Sequence, residues 1–165
     1  MARLKNFSVK NLKSFVGREG PAYQAGLYYN NKKIGFWSQD GDGAICDSFS
    51  FDDTFFAKKL RDAAQEMFPE SSIPEEMFME SLLELTLKEK NFKKMTKNGG
   101  KAVTMIFHPS CWQEMLLAFP ETATDEEMIQ SSRNIFYKEV LKENESYSKN
   151  AIVVEIYRGL KDFVK

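Results

Sequence analysis

Histidine occurs once and cysteine twice in this chain of 165 residues, and that scarcity excludes several kinds of chemistry. His108, Cys46 and Cys111 fall short of the four ligands that a structural zinc site requires. Two cysteines make no disulfide framework, so reduced thiols in a cytosolic protein are the expectation. His108-Pro109-Ser110-Cys111 does put a thiol three residues from an imidazole, the pairing that a cysteine nucleophile needs. With no further motif around them, inert and buried cysteines are the simpler expectation. No run approaches the ~18 apolar residues of a membrane-spanning helix. The opening MARLKNFSVKNLK has no apolar core of the kind a signal peptide carries. Arginine is scarce beside lysine, which weakens any argument for bidentate recognition of phosphates or base edges. No transmembrane segment, secretion or bound cofactor is therefore expected, and a cytoplasmic location follows.

Aromatic residues and turn signals are abundant instead. From Leu12 to Phe51 short β-like runs alternate with strong turns. Tyr23, Ala25, Leu27 and Tyr29 alternate with Gln24, Gly26 and Tyr28, the period-2 pattern of a strand. Asn30-Asn31 supplies two residues that tolerate positive φ, as a tight hairpin requires. Lys33 to Gln39 alternates again, Asp40-Gly41-Asp42-Gly43 makes a second turn, and Ala44 to Phe49 returns. An opening strand over residues 3–16, broken near Lys10-Asn11, extends this meander to four strands, with Phe7, Val9, Leu12 and Phe15 inward.

Asp52 or Asp53 caps a helix from about Thr54 to Phe68, buried through Phe56, Leu60, Ala63, Ala64 and Met67. Ser72 and Glu75 have capping-box spacing ahead of a second helix, Pro74 to Lys97, with Phe78, Leu82, Leu85 and Phe92 in one stripe. Gly99-Gly100 stops it. Lys101 to His108 reads as a strand, while Cys111 to Phe119 fits a short helix or a strand. Thr124 and Glu127 form a second capping box for a helix to about Lys142, with Met128, Ile135, Phe136 and Val140 inward or nearly so. Asn144 to Asn150 reads as a loop, β-branched Ala151 to Arg158 as a strand, and Gly159 to Lys165 as one helical turn. The expected fold is α+β, a single domain over residues 1–165. Its N-terminal antiparallel β-meander, about 3–51, is followed by two helices, a strand, a helix and a C-terminal strand.

Candidate motifs resolve mostly to structure. Asp40-Gly41-Asp42-Gly43 puts glycine where a calcium loop needs ligands, so hairpin chemistry explains it. Gly99-Gly100-Lys101 lacks the earlier glycine and the following Ser or Thr of a phosphate loop. No catalytic constellation emerges, and a non-enzymatic protein is expected.

Charge is segregated although the net charge is only −1. Arg3, Lys5, Lys10, Lys13, Arg18, Lys32 and Lys33 face Glu19 alone in the first 34 residues, and a second basic run spans Lys88 to Lys101. The first run borders Tyr23, Tyr28, Tyr29, Phe36 and Trp37, a combination suited to direct binding of single-stranded nucleic acid through phosphate attraction and base stacking. The same residue types anchor protein interfaces. Glu66, Glu70, Glu75, Glu76, Glu80 and Glu84 line the helical region, where carboxylates in a row can imitate a phosphate backbone. Arg18, Tyr28, Lys32, Lys33, Trp37, Glu75, Glu76 and Glu80 are the candidate partner-binding residues.

Gly17-Arg18-Glu19-Gly20, Ala25-Gly26-Leu27-Tyr28, Lys32-Lys33 and Asp40-Gly41-Asp42-Gly43 lie within the run Lys13 to Asp47, about a fifth of the chain. This run resembles the N-terminal part of small, mostly uncharacterised accessory proteins carried by bacteriophages and other bacterial mobile elements. The resemblance brings no catalytic residues. It implies an accessory protein that binds a host protein or protein–nucleic acid complex, such as an inhibitor of a bacterial defence or nucleic-acid-processing complex. Direct nucleic-acid binding by the basic meander is the alternative expectation. A small nucleotide ligand or small enzyme site lined by Trp37 and Tyr28 is the third.

Overall fold

The computed structural model describes residues 1–41, 47–97, 99–109, 111–141 and 151–165. The expected Asp42-Gly43 turn, the return from Ala44 to Cys46 and the 144–150 loop lie outside the described residues. The chain divides into two compact units, Met1–Glu89 with Phe163–Lys165, and Lys90–Asp162.

In the first unit β1 (Phe7–Val16), β2 (Pro21–Tyr29), β3 (Lys32–Gln39) and β4 (Asp47–Phe51) form an antiparallel sheet in the order β1-β2-β3-β4. Asn30 and Asn31 turn β2 into β3 with φ of 47° and 67°, the left-handed pair that a two-residue hairpin demands. A bulge interrupts β1. Lys10 faces Gly26 and Lys13 faces Gln24, so Asn11 and Leu12 together oppose Ala25, with Asn11 at φ 55°. The extra residue shifts the strand's phase by one. Phe7, Val9 and Leu12 consequently face the helices, whereas Phe15, expected inward, stands 48% exposed on the other face.

α1 (Thr54–Met67) starts at Asp53, whose Oδ1 accepts the Phe55 N–H at 2.8 Å. α2 (Pro74–Thr96) begins after a turn in which Ser71 Oγ accepts the Ile73 N–H. The helices present Leu60, Ala64, Phe78, Met79 and Leu82 to Ala25, Leu27, Ile34 and Trp37 of the sheet. Phe7 meets Phe78 edge-on with centroids 5.6 Å apart. Trp37, Phe7 and Phe78 are fully buried, and burial of each such ring stabilises the fold by roughly 2–3 kcal/mol. Glu89, 4% exposed, ties down the amino terminus by pairing with the Met1 ammonium at 2.8 Å and accepting the Ala2 N–H at 2.7 Å. The last residues pair with the first, Arg3 N–H donating to Phe163 O and Lys165 N–H to Arg3 O.

In the second unit β5 (Ala102–His108) is flanked by β6 (Cys111–Phe119) and β7 (Val153–Tyr157), both antiparallel to it. The ambiguous 111–119 stretch is thus a strand, fixed by its register from Ala102 opposite Phe119 to Phe107 opposite Glu114. α3 (Asp125–Phe136) opens with both halves of the Thr124–Glu127 capping box. It closes in a π-helical turn, Tyr137–Leu141. Ile106, Phe136, Leu141 and Ile152 form the core, and the hydroxyls of Thr104 and Ser132 pair within it at 2.8 Å. Ile135, expected on or next to the inward face, is 39% exposed. The fold is α+β, and no helix among the described residues is long and apolar enough to cross a membrane.

Candidate functional site

Helices cover one face of the meander and leave the other open. Strand alternation decides which side chains that open face displays. It reads in rows: Phe15 beside Ala22; then Lys13, Gln24, Ser38 and Ser48; then Lys10, Gly26, Phe36 and Ser50; then Tyr28 beside Lys33. Phe15 and Phe36 are 48% and 41% exposed, unusual for phenylalanine on a sheet with a well-filled core beneath it. Lys13, Lys33, Ser48 and Ser50 are exposed as well. Lys10 Nζ lies 4.3 Å from the centre of the Tyr28 ring, a cation–π contact that holds both side chains against the sheet.

The four strands carry a single carboxylate, Asp47, and it faces the helix side. The open face therefore combines three ammonium groups and three aromatic rings with no opposing acid from its own strands. That arrangement attracts an anion and offers it flat apolar surface.

The expected binding residues are sorted by the same alternation. Tyr28 and Lys33 are neighbours on the open face, and Arg18 is exposed in the β1–β2 loop. Lys32 turns the other way, its Nζ lying 5.6 Å from the Phe56 ring. Trp37 is fully buried and its indole N–H donates to Asp47 Oδ2 at 2.7 Å. Tyr28 and Trp37 thus lie on opposite faces of the sheet and do not line one ligand pocket. The surface ring on β3 is Phe36, next to Trp37. Phe15 was masked from the sequence pattern by the bulge, whose one local signal is the Lys10-Asn11 break in alternation.

Glu75 and Glu76 lie elsewhere. With Asp47, Arg61, Phe49, Phe51 and Ile73 they line a cavity of about 360 Å³ between β4 and the two helices. Arg61 pairs with Glu75 at 3.1 Å, while Glu80 is exposed on α2. The Asp47 carboxyl is pushed up to about 6, chiefly by burial. The Trp37 N–H opposes that rise, and the charges of Glu76, Glu80 and Asp40 add to it. Sequence pattern gave no hint of this group. Other members of the acidic series are engaged by cations, Glu66 by Lys5 at 2.8 Å and Glu84 by Lys88. No group of three or more His, Cys, Asp or Glu among the described residues is placed to hold a metal ion. The chain matches no family model, no curated protein and no solved structure.

Proposed function

We propose that this is a non-enzymatic binding protein and that the open face of its meander takes single-stranded nucleic acid. The observation that carries this reading is the coincidence of Lys10, Lys13 and Lys33 with the exposed rings of Phe15 and Phe36 on a face whose own strands add no carboxylate. A phosphate chain satisfies the lysines, and its unstacked bases cover the rings. An acidic peptide satisfies only the lysines. A duplex keeps its bases stacked and offers the rings nothing. The scarcity of arginine fits backbone tracking by point charges better than bidentate reading of base edges.

An accessory role against a host nucleic-acid-processing complex is compatible with this surface, because a protein that holds a single strand withholds it from other machinery. Inhibition by carboxylates that imitate DNA has less behind it, since Glu66, Glu75 and Glu84 are already paired with cations. The test is an NMR titration with a short oligonucleotide. Shifts concentrated at Lys10, Lys13, Tyr28, Lys33 and Phe36 support the proposal. Shifts confined to the helices, or none at low salt, defeat it.

A further inference from the structure

The helix side of the meander holds a second feature with a chemistry of its own. The cavity of about 360 Å³ between β4 and the two helices lies wholly within the first unit. Its volume sits at the low end of small-molecule sites, which run from about 300 to 1,000 Å³. Strand alternation brings Asp47, Phe49 and Phe51 of β4 to this space. Leu60 and Arg61 line it from α1, and Glu75 and Glu76 from the start of α2. The Phe49 and Phe51 rings lie nearly parallel, 6° from coplanar orientation with centroids 5.8 Å apart. Both face the helices yet stay only partly buried, since they border the cavity as well as the core.

Three carboxylates line this space against one guanidinium, and they are not equally engaged. Arg61 takes Glu75 at 3.1 Å, whereas Glu76 has no cationic partner among the described residues. Asp47 Oδ2 accepts the Trp37 indole N–H at 2.7 Å, while its Oδ1 is buried with no donor among the described residues. A buried acceptor left so costs free energy until a donor reaches it. The amino terminus of α2 adds a partial positive charge of about half a unit, and Glu75 and Glu76 in its first turn outweigh it. Anionic ligands are disfavoured on this balance. The aromatic wall supplies no oxygen ligands, and these acids are not grouped to hold a metal ion. An organic cation on an apolar stem satisfies both halves of the lining. One buried acceptor also suits a compact ammonium, with three rotatable donors, better than the planar fork of a guanidinium. We propose that this cavity binds a primary alkylammonium group, its charge between Asp47 and Glu76 and its methylenes against Phe49 and Phe51. Free polyamines and lysine side chains share that group. The site lies on the sheet face opposite the lysine rows, so its test stands apart from the nucleic-acid reading.

The experiment titrates the full chain with pentylammonium, and with 1-pentanol as a stem without charge, following the Trp37 indole N–H by NMR. Pentylammonium is expected to shift that signal and 1-pentanol to leave it in place. The charged groups around Asp47 are Arg61 of α1, Glu75, Glu76 and Glu80 of α2, and Asp40 beyond β3. Asp47 itself titrates at about 6, so only about a tenth of the chains carry its charge at pH 5, and affinity is expected to rise about tenfold from pH 5 to pH 8. Asp47→Asn, which keeps an acceptor for the indole, is expected to lose that rise, and Glu76→Gln to weaken binding at both pH values. Circular dichroism checks that each variant is folded. Tighter binding of 1,5-diaminopentane points to a free polyamine, and tighter binding of Nα-acetyl-lysine methylamide to a protein side chain. Equal shifts with 1-pentanol, no shift with any amine, or an Asp47→Asn variant that keeps the pH dependence overturns the proposal.

Discussion

Replacing Asp47 with asparagine isolates one partly buried acid whose pKa is raised by its burial. Asparagine keeps an oxygen to accept the Trp37 indole N–H, a bond of 2.7 Å in the native chain, and removes the charge. The Asp47 carboxyl titrates at about 6 in the folded protein against 3.8 for the free group. Between those values the folded state holds a proton that the unfolded state has released. Stability therefore falls as pH rises through this window and stays lowered above it. A shift of about two units corresponds to about 3 kcal/mol for a wholly desolvated group. Asp47 is only partly buried, and solvent screening reduces this to about 1–1.5 kcal/mol. Urea denaturation of both proteins at pH 4 and pH 8 measures the difference. Asp47→Asn is expected to be more stable by about 1 kcal/mol at pH 8 and nearly equal at pH 4, with unchanged m. Groups shared by the two proteins cancel. A difference independent of pH, or a variant less stable at pH 8, would refute the account of the buried carboxylate.

Three further outcomes follow from the packing. Thr104→Val or Ser132→Ala alone strands a buried hydroxyl, each costing about 1–2 kcal/mol in chemical denaturation, and the double variant is expected to cost about 1 kcal/mol less than their sum. Asn31→Gly is expected to leave stability nearly unchanged, whereas Asn31→Val at φ 67° costs about 1–2 kcal/mol by the same assay. Thr124→Ala removes the side-chain half of the α3 cap and lowers stability by about 1 kcal/mol, read as a shifted urea midpoint.

Much of this architecture was legible because local chemistry decided it. Asn30-Asn31 admits few alternatives to a hairpin, and Thr124 with Glu127 announces a helix start wherever it occurs. Other features depend on partners distant in sequence. The Cys111–Phe119 run suits either periodicity and becomes a strand only because β5 offers a register for it. Alternation separates Tyr28 from Trp37 but cannot say which set is covered. That depends on α1 and α2 packing against Ala25, Leu27 and Ile34. Phe15 changes faces through one added residue at Asn11. Ser72 and Glu75 have the spacing of a cap, yet Arg61 takes Glu75 in an ion pair. The meeting of Gly17 and Gly41, and the pairing of Lys165 with Arg3, join residues whose proximity no local pattern records.

The central claim concerns the open face of the meander. Its most direct test is the salt dependence of oligonucleotide binding by the native chain and by Lys10→Gln/Lys13→Gln/Lys33→Gln, measured by fluorescence anisotropy. These side chains lie on the sheet's outer surface, away from the core. Each phosphate contact contributes about 0.7 to the slope of log affinity against log salt on single strands. The triple variant is expected to bind more weakly at low salt, with a slope shallower by about 2. An unchanged slope and affinity would contradict the assignment of this face.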